Sequence, residues 1–256
     1  MPYFTYQSMR IHYARAGKGP PMLLLPGNTG SSAIQRGEIR HFSRWFDVVC
    51  PDYLGYGRSD RLAELPPEFW WENARMLTEL VDHLCVRECV VVGTSGGSLI
   101  GLNLAVVAPE AVRCVVADSC PGDRMSAEWA QWLVAQRTND DPEASRFYRA
   151  AHGDDWRQVI DADSAMFLAT TRAGNLPCRG KLNEVSCPVL FTAALADHMI
   201  EHIEEGVCEA ARQIKHAKVV LVSGGAHPLM WSHPELFRRE AMRFICEITA
   251  QRYEGI

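Results

Sequence analysis

One serine in this chain stands where nucleophilic chemistry would need it. Ser95 lies in "VVVGTSGGSLIG" (90–101), directly after a run of apolar residues and between Gly93 and Gly97. A Gly-x-Ser-x-Gly sequence between a buried strand and a helix is typical of a nucleophile elbow, a sharp turn that lifts the hydroxyl above the sheet. The start of the following helix favours the negative charge that develops during attack. We therefore predict that Ser95 is a nucleophile.

A serine hydroxyl needs a general base, and the sequence offers a histidine after its last apolar strand. His227 lies in "SGGAHPLMWSHPELF" (223–237). His233 is the alternative, but it precedes Pro234, and proline is typical of the first residue of a helix. We therefore predict His227 as the base. Six other histidines are interpreted as solvated side chains: His12, His41, His83, His152, His202 and His216.

The base in turn needs a carboxylate that fixes its tautomer and stabilises the imidazolium. Asp197, in "VLFTAALADHMI" (189–200), follows an apolar strand by a few residues and is our prediction for this role. Asp118, at the end of the preceding apolar strand, stays open as the alternative.

Two backbone N–H groups are predicted to bind the oxyanion that attack on a carbonyl creates. One belongs to Gly96, the residue after the nucleophile, and the other to Asn28, in the loop after "MLLLPG" (22–27). The Asn28 side chain fits two interpretations equally, an added contact at the site or an amide that only forms the turn.

Apolar runs of strand length alternate with helical patterns along most of the chain. This alternation predicts an α/β fold in which a mostly parallel sheet is covered by helices on both faces. The predicted strands are 3–7, 10–15, 20–27, 46–53, 89–93, 112–119, 187–194 and 217–223, and the predicted helices are 69–84, 97–108, 201–213 and 234–251.

Residues 121–185 interrupt the alternation because they show helical patterns and no strand-like apolar run. We predict a core domain formed by residues 1–120 and 186–256. The intervening segment, 121–185, is predicted to be a helical lid inserted after the strand that ends near Asp118. Such a lid would cover the carboxyl ends of the strands, where α/β sheets bind ligands. Three of its aromatic residues are predicted to contact the substrate: Trp129, Trp132 and Phe167.

Composition narrows the class of protein. The chain has 256 residues, 47% of them hydrophobic, and a formal net charge of −5. With no cluster of basic residues, nucleic acid is not expected as a partner. No apolar run is long enough to span a bilayer, no metal-ligand spacing is present, and the nine cysteines have irregular spacing. We expect a cytoplasmic monomer or homodimer that acts on a small molecule without a metal or other cofactor.

Four ordered motifs carry a family resemblance: "LLLPGNTGS" (23–31), "PDYLGYGRSD" (51–60), "VVGTSGGS" (91–98) and "GAHPLMWSHPE" (225–235). Together they resemble serine hydrolases of the α/β-hydrolase fold, and the resemblance covers essentially the whole chain. It implies a triad in the order Ser95, Asp197, His227 and hydrolysis through an acyl-enzyme. It also implies that Asp52 is structural and caps its turn.

The segment "GNLPCRGKLNEVSCPVL" (174–190) and the short lid are similar to valacyclovirase-type amino-acid ester hydrolases and related small esterases. In those enzymes an aspartate after the nucleophile holds the substrate ammonium group, whereas this chain has Gly96. We therefore expect a carboxylesterase that cleaves a small or medium, largely apolar ester. C–C bond hydrolysis, amino-acid ester or peptide hydrolysis, cofactor-free oxygenation and a non-catalytic ligand-binding role remain alternatives. Ser95 excludes the aspartate nucleophile of haloalkane dehalogenases.

Overall fold

A single eight-stranded sheet organises the chain, for which a computed structural model describes the backbone of residues 2–138 and 141–250. The order across the sheet is β1-β2-β4-β3-β5-β6-β7-β8, and β3 to β8 all run parallel. β2 pairs antiparallel with both β1 and β4, so the sheet is mostly parallel, as the sequence predicts. The strands are β1 (Tyr3–Tyr6), β2 (Met9–Ala16), β3 (Pro21–Leu25), β4 (Asp47–Pro51), β5 (Cys89–Thr94), β6 (Val112–Asp118), β7 (Val189–Ala194) and β8 (Ala217–Val222).

Helices cover both faces of the sheet, as predicted. They are α1 (Arg36–Phe42), α2 (Phe69–His83), α3 (Gly96–Val107), α4 (Ala127–Thr138), α5 (Pro142–His152), α6 (Trp156–Arg172), α7 (Ile203–Gln213), α8 (Leu229–Ser232) and α9 (Pro234–Thr249). The sequence did not predict α1 or the single turn of α8. The last residue predicted for the final helix, 251, lies outside the described residues.

Side-chain alternation along the strands explains why the sheet needs helices on both sides. In β3, Met22 and Leu24 pack toward α1 and α9, whereas Leu23 and Leu25 pack toward α2, α3 and α7. All four are at most 2% exposed. Because each strand is apolar on both faces, only a sheet buried on both sides removes these residues from water.

The strand β8 differs from its predicted environment. Its apolar run predicts a buried strand, yet Val219 and Leu221 are 38% and 36% exposed. The reason is its position, since in residues 2–138 and 141–250 β8 is the last strand of the sheet and has β7 as its one neighbour.

Between β6 and β7 the described residues form helices α4, α5 and α6, and no strand. We call residues 121–185 the helical insert. Its Trp129, Leu133 and Phe167 join the same apolar core as α2 and α3, so it packs onto one face of the molecule. Asp141 caps α5 by accepting a hydrogen bond from the Glu143 N–H at 2.9 Å.

Two histidines predicted to be solvated are instead buried, because each satisfies polar groups of the loop after β4. His12 Nδ1 donates to Asp52 Oδ2 at 2.9 Å. His152 accepts from the Gly57 N–H and donates to the Thr29 carbonyl. Burial opposes the charge of Asp52, but hydrogen bonds from His12 and two backbone N–H groups lower its pKa. Asp52 thus holds its own loop and a neighbouring loop through hydrogen bonds, which is the structural role that the resemblance implies.

Candidate active site

The turn between β5 and α3 holds Ser95 in a strained conformation. Its φ of 52° and ψ of −126° lie where residues with a side chain are rarely found. The neighbouring glycines are required sterically, because a Cβ on Gly93 would overlap the Gly97 carbonyl and one on Gly97 would overlap Leu25. This is the sharp strand-to-helix turn that the spacing of the glycines predicts.

The loops after β7 and β8 bring an aspartate and a histidine together. His227 Nδ1 lies 2.7 Å from Asp197 Oδ2, and the Asp197 side chain is completely buried. The other carboxylate oxygen accepts the Met199 and Ile200 N–H groups at 2.9 and 3.2 Å. These bonds fix the position of the Asp197 carboxylate. The carboxylate in turn orients the His227 imidazole, whose Nε2 is left for a second partner.

Asp118, the alternative acid, is bonded to other groups. It accepts hydrogen bonds from Thr192 Oγ1 at 2.7 Å, Thr94 Oγ1 at 3.1 Å and the Met230 N–H at 3.1 Å. Its side chain therefore links strands β5, β6 and β7 to α8, which begins two residues after His227. Complete burial raises the pKa of Asp118 to about 6.

One cavity of about 490 Å³ collects most of the predicted site. Ser95 and His227 line it together with Asn28 and Gly96, all at the carboxyl ends of the strands. The helical insert supplies much of the remaining wall, mainly with apolar and aromatic side chains that include Trp129, Leu133, Phe147, Tyr148 and Phe167. Such a volume and lining suit a small organic molecule.

The three aromatic residues predicted to contact substrate do not share one environment. Trp129 and Phe167 line the cavity and meet edge to face, with ring centroids 5.6 Å apart. Trp132 does not line it and is 43% exposed. Helical spacing gives the reason, because Trp129 and Leu133 are four residues apart on the inward face of α4 while Trp132 projects from another face.

The two residues predicted to bind an oxyanion are neighbours. Gly96 is the first residue of α3, so its N–H has no acceptor inside the helix. The Asn28 side chain is occupied, because its Oδ1 accepts from Trp70 Nε1 at 2.9 Å and its Nδ2 donates to Asp163 Oδ1 at 2.7 Å. What Asn28 can offer an oxyanion is therefore its backbone N–H.

The sequence did not predict the buried ion pair beside this site. Arg137 Nη1 lies 2.5 Å from Asp163 Oδ2, and the two side chains are 6% and 0% exposed. Tyr56 also donates to Asp163. A signal was present, since Arg137 continues the Trp129 and Leu133 face of α4, and Asp163 lies on the apolar face of α6. Opposite charges on two apolar helix faces indicate a pair.

Comparison with known proteins decides the family. A family model described as the alpha/beta hydrolase fold matches residues 20–173, more than half of the chain. The chain belongs to the α/β-hydrolase fold family. It is also 38% identical over 117 residues to haloalkane dehalogenase 2 of Mycobacterium tuberculosis, a match that covers 44% of this chain and 40% of that protein. The chain thus matches about two fifths of the length of that curated relative.

Solved structures of low sequence identity share the fold. An alpha/beta hydrolase fold protein from Chitinophaga pinensis superposes with a TM-score of 0.77 at 17% identity, covering 95% of this chain and 96% of the other. Est816, described as an N-acyl homoserine lactone degrading enzyme, gives a TM-score of 0.74 at 20% identity, covering 95% and 100%. In the part of the chain that the structure describes, no helix combines the length and apolar character needed to cross a membrane.

Proposed function

We propose that this protein is a serine hydrolase that cleaves a small or medium, largely apolar carboxylic ester through an acyl-enzyme. One observation carries the proposal: a strained Ser95 and His227 line one cavity from two strand ends, and Asp197, from a third strand end, lies 2.7 Å from His227 Nδ1. A purely structural serine would gain nothing from a conformation that costs on the order of 1–3 kcal/mol.

In the proposed reaction, Ser95 Oγ attacks the ester carbonyl and His227 takes the hydroxyl proton. Asp197 stabilises the imidazolium, and the Asn28 and Gly96 N–H groups bind the oxyanion. The tetrahedral intermediate then collapses, and His227 gives its proton to the departing alcohol. Water adds to the acyl-enzyme by the same steps, which releases the acid and restores Ser95.

The cavity supports the substrate class. Most of its lining is apolar, and its volume of about 490 Å³ limits the size of the ligand. We propose that the helical insert acts as a lid, because α4, α5 and α6 contribute the wall opposite the strand ends. The turn at position 95 carries a hydroxyl rather than a carboxylate, which argues against dehalogenation, the activity in the name of one relative.

A substrate panel tests this function. Short p-nitrophenyl esters, anilides, lactones, carbamates and vinylogous diketones are assayed with the wild type, Ser95→Ala and the control Ser223→Ala, which replaces an exposed serine. We expect ester hydrolysis by the wild type and the control, and a loss of roughly a thousandfold or more in Ser95→Ala. Full activity in Ser95→Ala would overturn the proposal. Turnover of diketones alone would instead indicate C–C bond hydrolysis.

A further inference from the structure

An ion pair lies in the wall of the catalytic cavity. Arg137 lines the cavity that holds Ser95, and its partner Asp163 is completely buried behind it. A buried pair of this kind is often no more stabilising than apolar side chains of similar volume. Most of the surrounding wall is apolar, so stability alone does not explain why an arginine stands there.

The donors of Arg137 are only partly used. A guanidinium carries five N–H groups. Nη1 donates to Asp163 Oδ2 at 2.5 Å and to Ser164 Oγ at 3.4 Å, while Nε and Nη2 have no hydrogen bond to any residue that the structure describes. Neither atom is among the fully enclosed polar atoms that lack a partner. Within the part of the chain that the structure describes, the space open to these N–H groups is the cavity that Arg137 lines.

The surroundings hold the guanidinium in place. Its central carbon lies 5.3 Å from the centre of the Phe167 ring, which lines the same cavity. Asp163 is itself fixed by Asn28 and Tyr56 on its other oxygen. A donor held by both stacking and an ion pair binds an acceptor with little loss of side-chain freedom.

Charge decides between a neutral and an anionic acceptor. Asp163 neutralises Arg137. Two further carboxylates line the same cavity: Glu143, which pairs with Arg146 at 3.9 Å, and Asp141. An added carboxylate on the substrate would therefore meet more negative than positive charge. A carbonyl oxygen has no such penalty and accepts a hydrogen bond from a cation strongly.

We propose that Arg137 binds a second, uncharged carbonyl oxygen of the substrate, distinct from the carbonyl that Ser95 attacks. The natural acyl or alcohol part then carries a keto or amide group within an otherwise apolar chain. This inference rests on the proposed function in one respect, that the substrate is an ester cleaved at Ser95. The binding of the second carbonyl oxygen by Arg137 does not depend on which bond is cleaved.

Matched esters test the inference by turnover. The substrates are p-nitrophenyl heptanoate, a series with one chain methylene replaced by a carbonyl at successive positions, and a p-nitrophenyl ester of the same length ending in a carboxylate. The readout is the ratio of kcat/KM for each ester to that for heptanoate. The variant Arg137→Lys removes the branched N–H donors of the guanidinium. It keeps a cation beside Asp163, which limits the risk of misfolding. The control Arg179→Lys makes the same change at an ion pair with Glu68 outside this cavity.

In the wild type and in Arg179→Lys, we expect kcat/KM for one oxo ester to be about tenfold higher than for heptanoate. In Arg137→Lys, this ratio of kcat/KM values should fall close to one. The carboxylate ester should be no better than heptanoate. The inference is overturned if no oxo ester is preferred, if the preference survives in Arg137→Lys, or if the carboxylate ester is the best substrate.

Binding without turnover separates this inference from the proposed function. Trp129 and Trp231 line the cavity, so tryptophan fluorescence of Ser95→Ala can follow binding of methyl heptanoate and its oxo analogues. We expect about tenfold tighter binding of one oxo ester, lost when Arg137→Lys is added. This result in a protein that hydrolyses no ester would reject the esterase and keep the inference. Equal binding of all the esters would reject the inference, whatever the activity.

Discussion

The residue after Ser95 limits what this site can recognise. A Cβ on Gly96 would overlap Asn28 Oδ1 and would lie 2.9 Å from Trp70 Nε1. The Asn28 amide thus fills the space into which a side chain at position 96 would project. Where valacyclovirase-like enzymes have an aspartate, this chain has no room for one, which argues against an α-amino ester substrate.

Replacing Gly96 by alanine should displace Asn28 and with it one of the two proposed oxyanion donors. We expect Gly96→Ala to lower kcat/KM for a short ester by roughly a hundredfold. Gly37→Ala is the matched control, because a Cβ at Gly37 in α1 meets nothing within 4 Å. It should keep full activity and add roughly 0.5–1 kcal/mol of stability. Wild-type activity in Gly96→Ala would remove Asn28 and Gly96 from the mechanism.

The two buried aspartates can be told apart by mutation. Asp197→Asn should lower kcat by about ten-thousandfold, because the imidazole would lose its tautomer and its counter-charge. Asp118→Asn should lower kcat by less than about tenfold, since Asp118 bonds to Thr94, Thr192 and Met230 rather than to His227. Steady-state kinetics with one ester measures both, and the reverse order of effects would make Asp118 the acid of the triad.

At the scale of the elements, the local sequence pattern was enough to predict a strand or turn wherever that element's own residues carry the signal. The runs that form β3, β5, β6 and β7 predicted buried strands, and the glycines around Ser95 predicted the turn. The pattern failed where a distant partner decides the outcome. His12 is buried because Asp52, 40 residues away, accepts its hydrogen bond. Strand β8 is half exposed because, among the described residues, no further strand pairs with its outer edge. Helix α1 is seven residues of mixed polarity, too short for a periodic signal.

The ion pair between α4 and α6 is another such case, and it yields a stability prediction. Asp163→Asn keeps the side-chain shape but leaves the buried Arg137 without a counter-charge. We expect the free energy of unfolding to fall by about 3–5 kcal/mol, with partial recovery in Asp163→Asn combined with Arg137→Met. Urea unfolding measures both. Asp154→Asn at the exposed pair with Arg149 is the control and should change nothing measurable. An unchanged free energy of unfolding in Asp163→Asn would show that the ion pair is not strongly coupled to folding.

For the whole molecule, buried ionisable groups set the pH dependence of stability. Burial raises the pKa of Asp118 from its ordinary value near 3.8 to about 6. Between these values the folded protein holds a proton that the unfolded chain has released, so the free energy of unfolding falls as pH rises. The loss amounts to up to about 3 kcal/mol.

Comparing the wild type with Asp118→Asn isolates this contribution. His41, with its pKa lowered to about 4 mainly by burial, changes stability in the opposite direction and is common to both proteins. We expect the stability of the wild type, relative to that of Asp118→Asn, to decrease between pH 4 and 6 in urea unfolding experiments. Parallel curves would show that Asp118 is ionised throughout this range.

The fold itself does not determine the reaction, since α/β-hydrolase folds host many chemistries and the site must carry the assignment. The proposed covalent intermediate on Ser95 is therefore the property to measure. Intact-protein mass spectrometry with peptide mapping, after incubation with a fluorophosphonate, should show one adduct per chain on the peptide that contains Ser95, and none in Ser95→Ala. A wild-type protein that forms no adduct, or an adduct that persists in Ser95→Ala, would contradict a serine hydrolase mechanism.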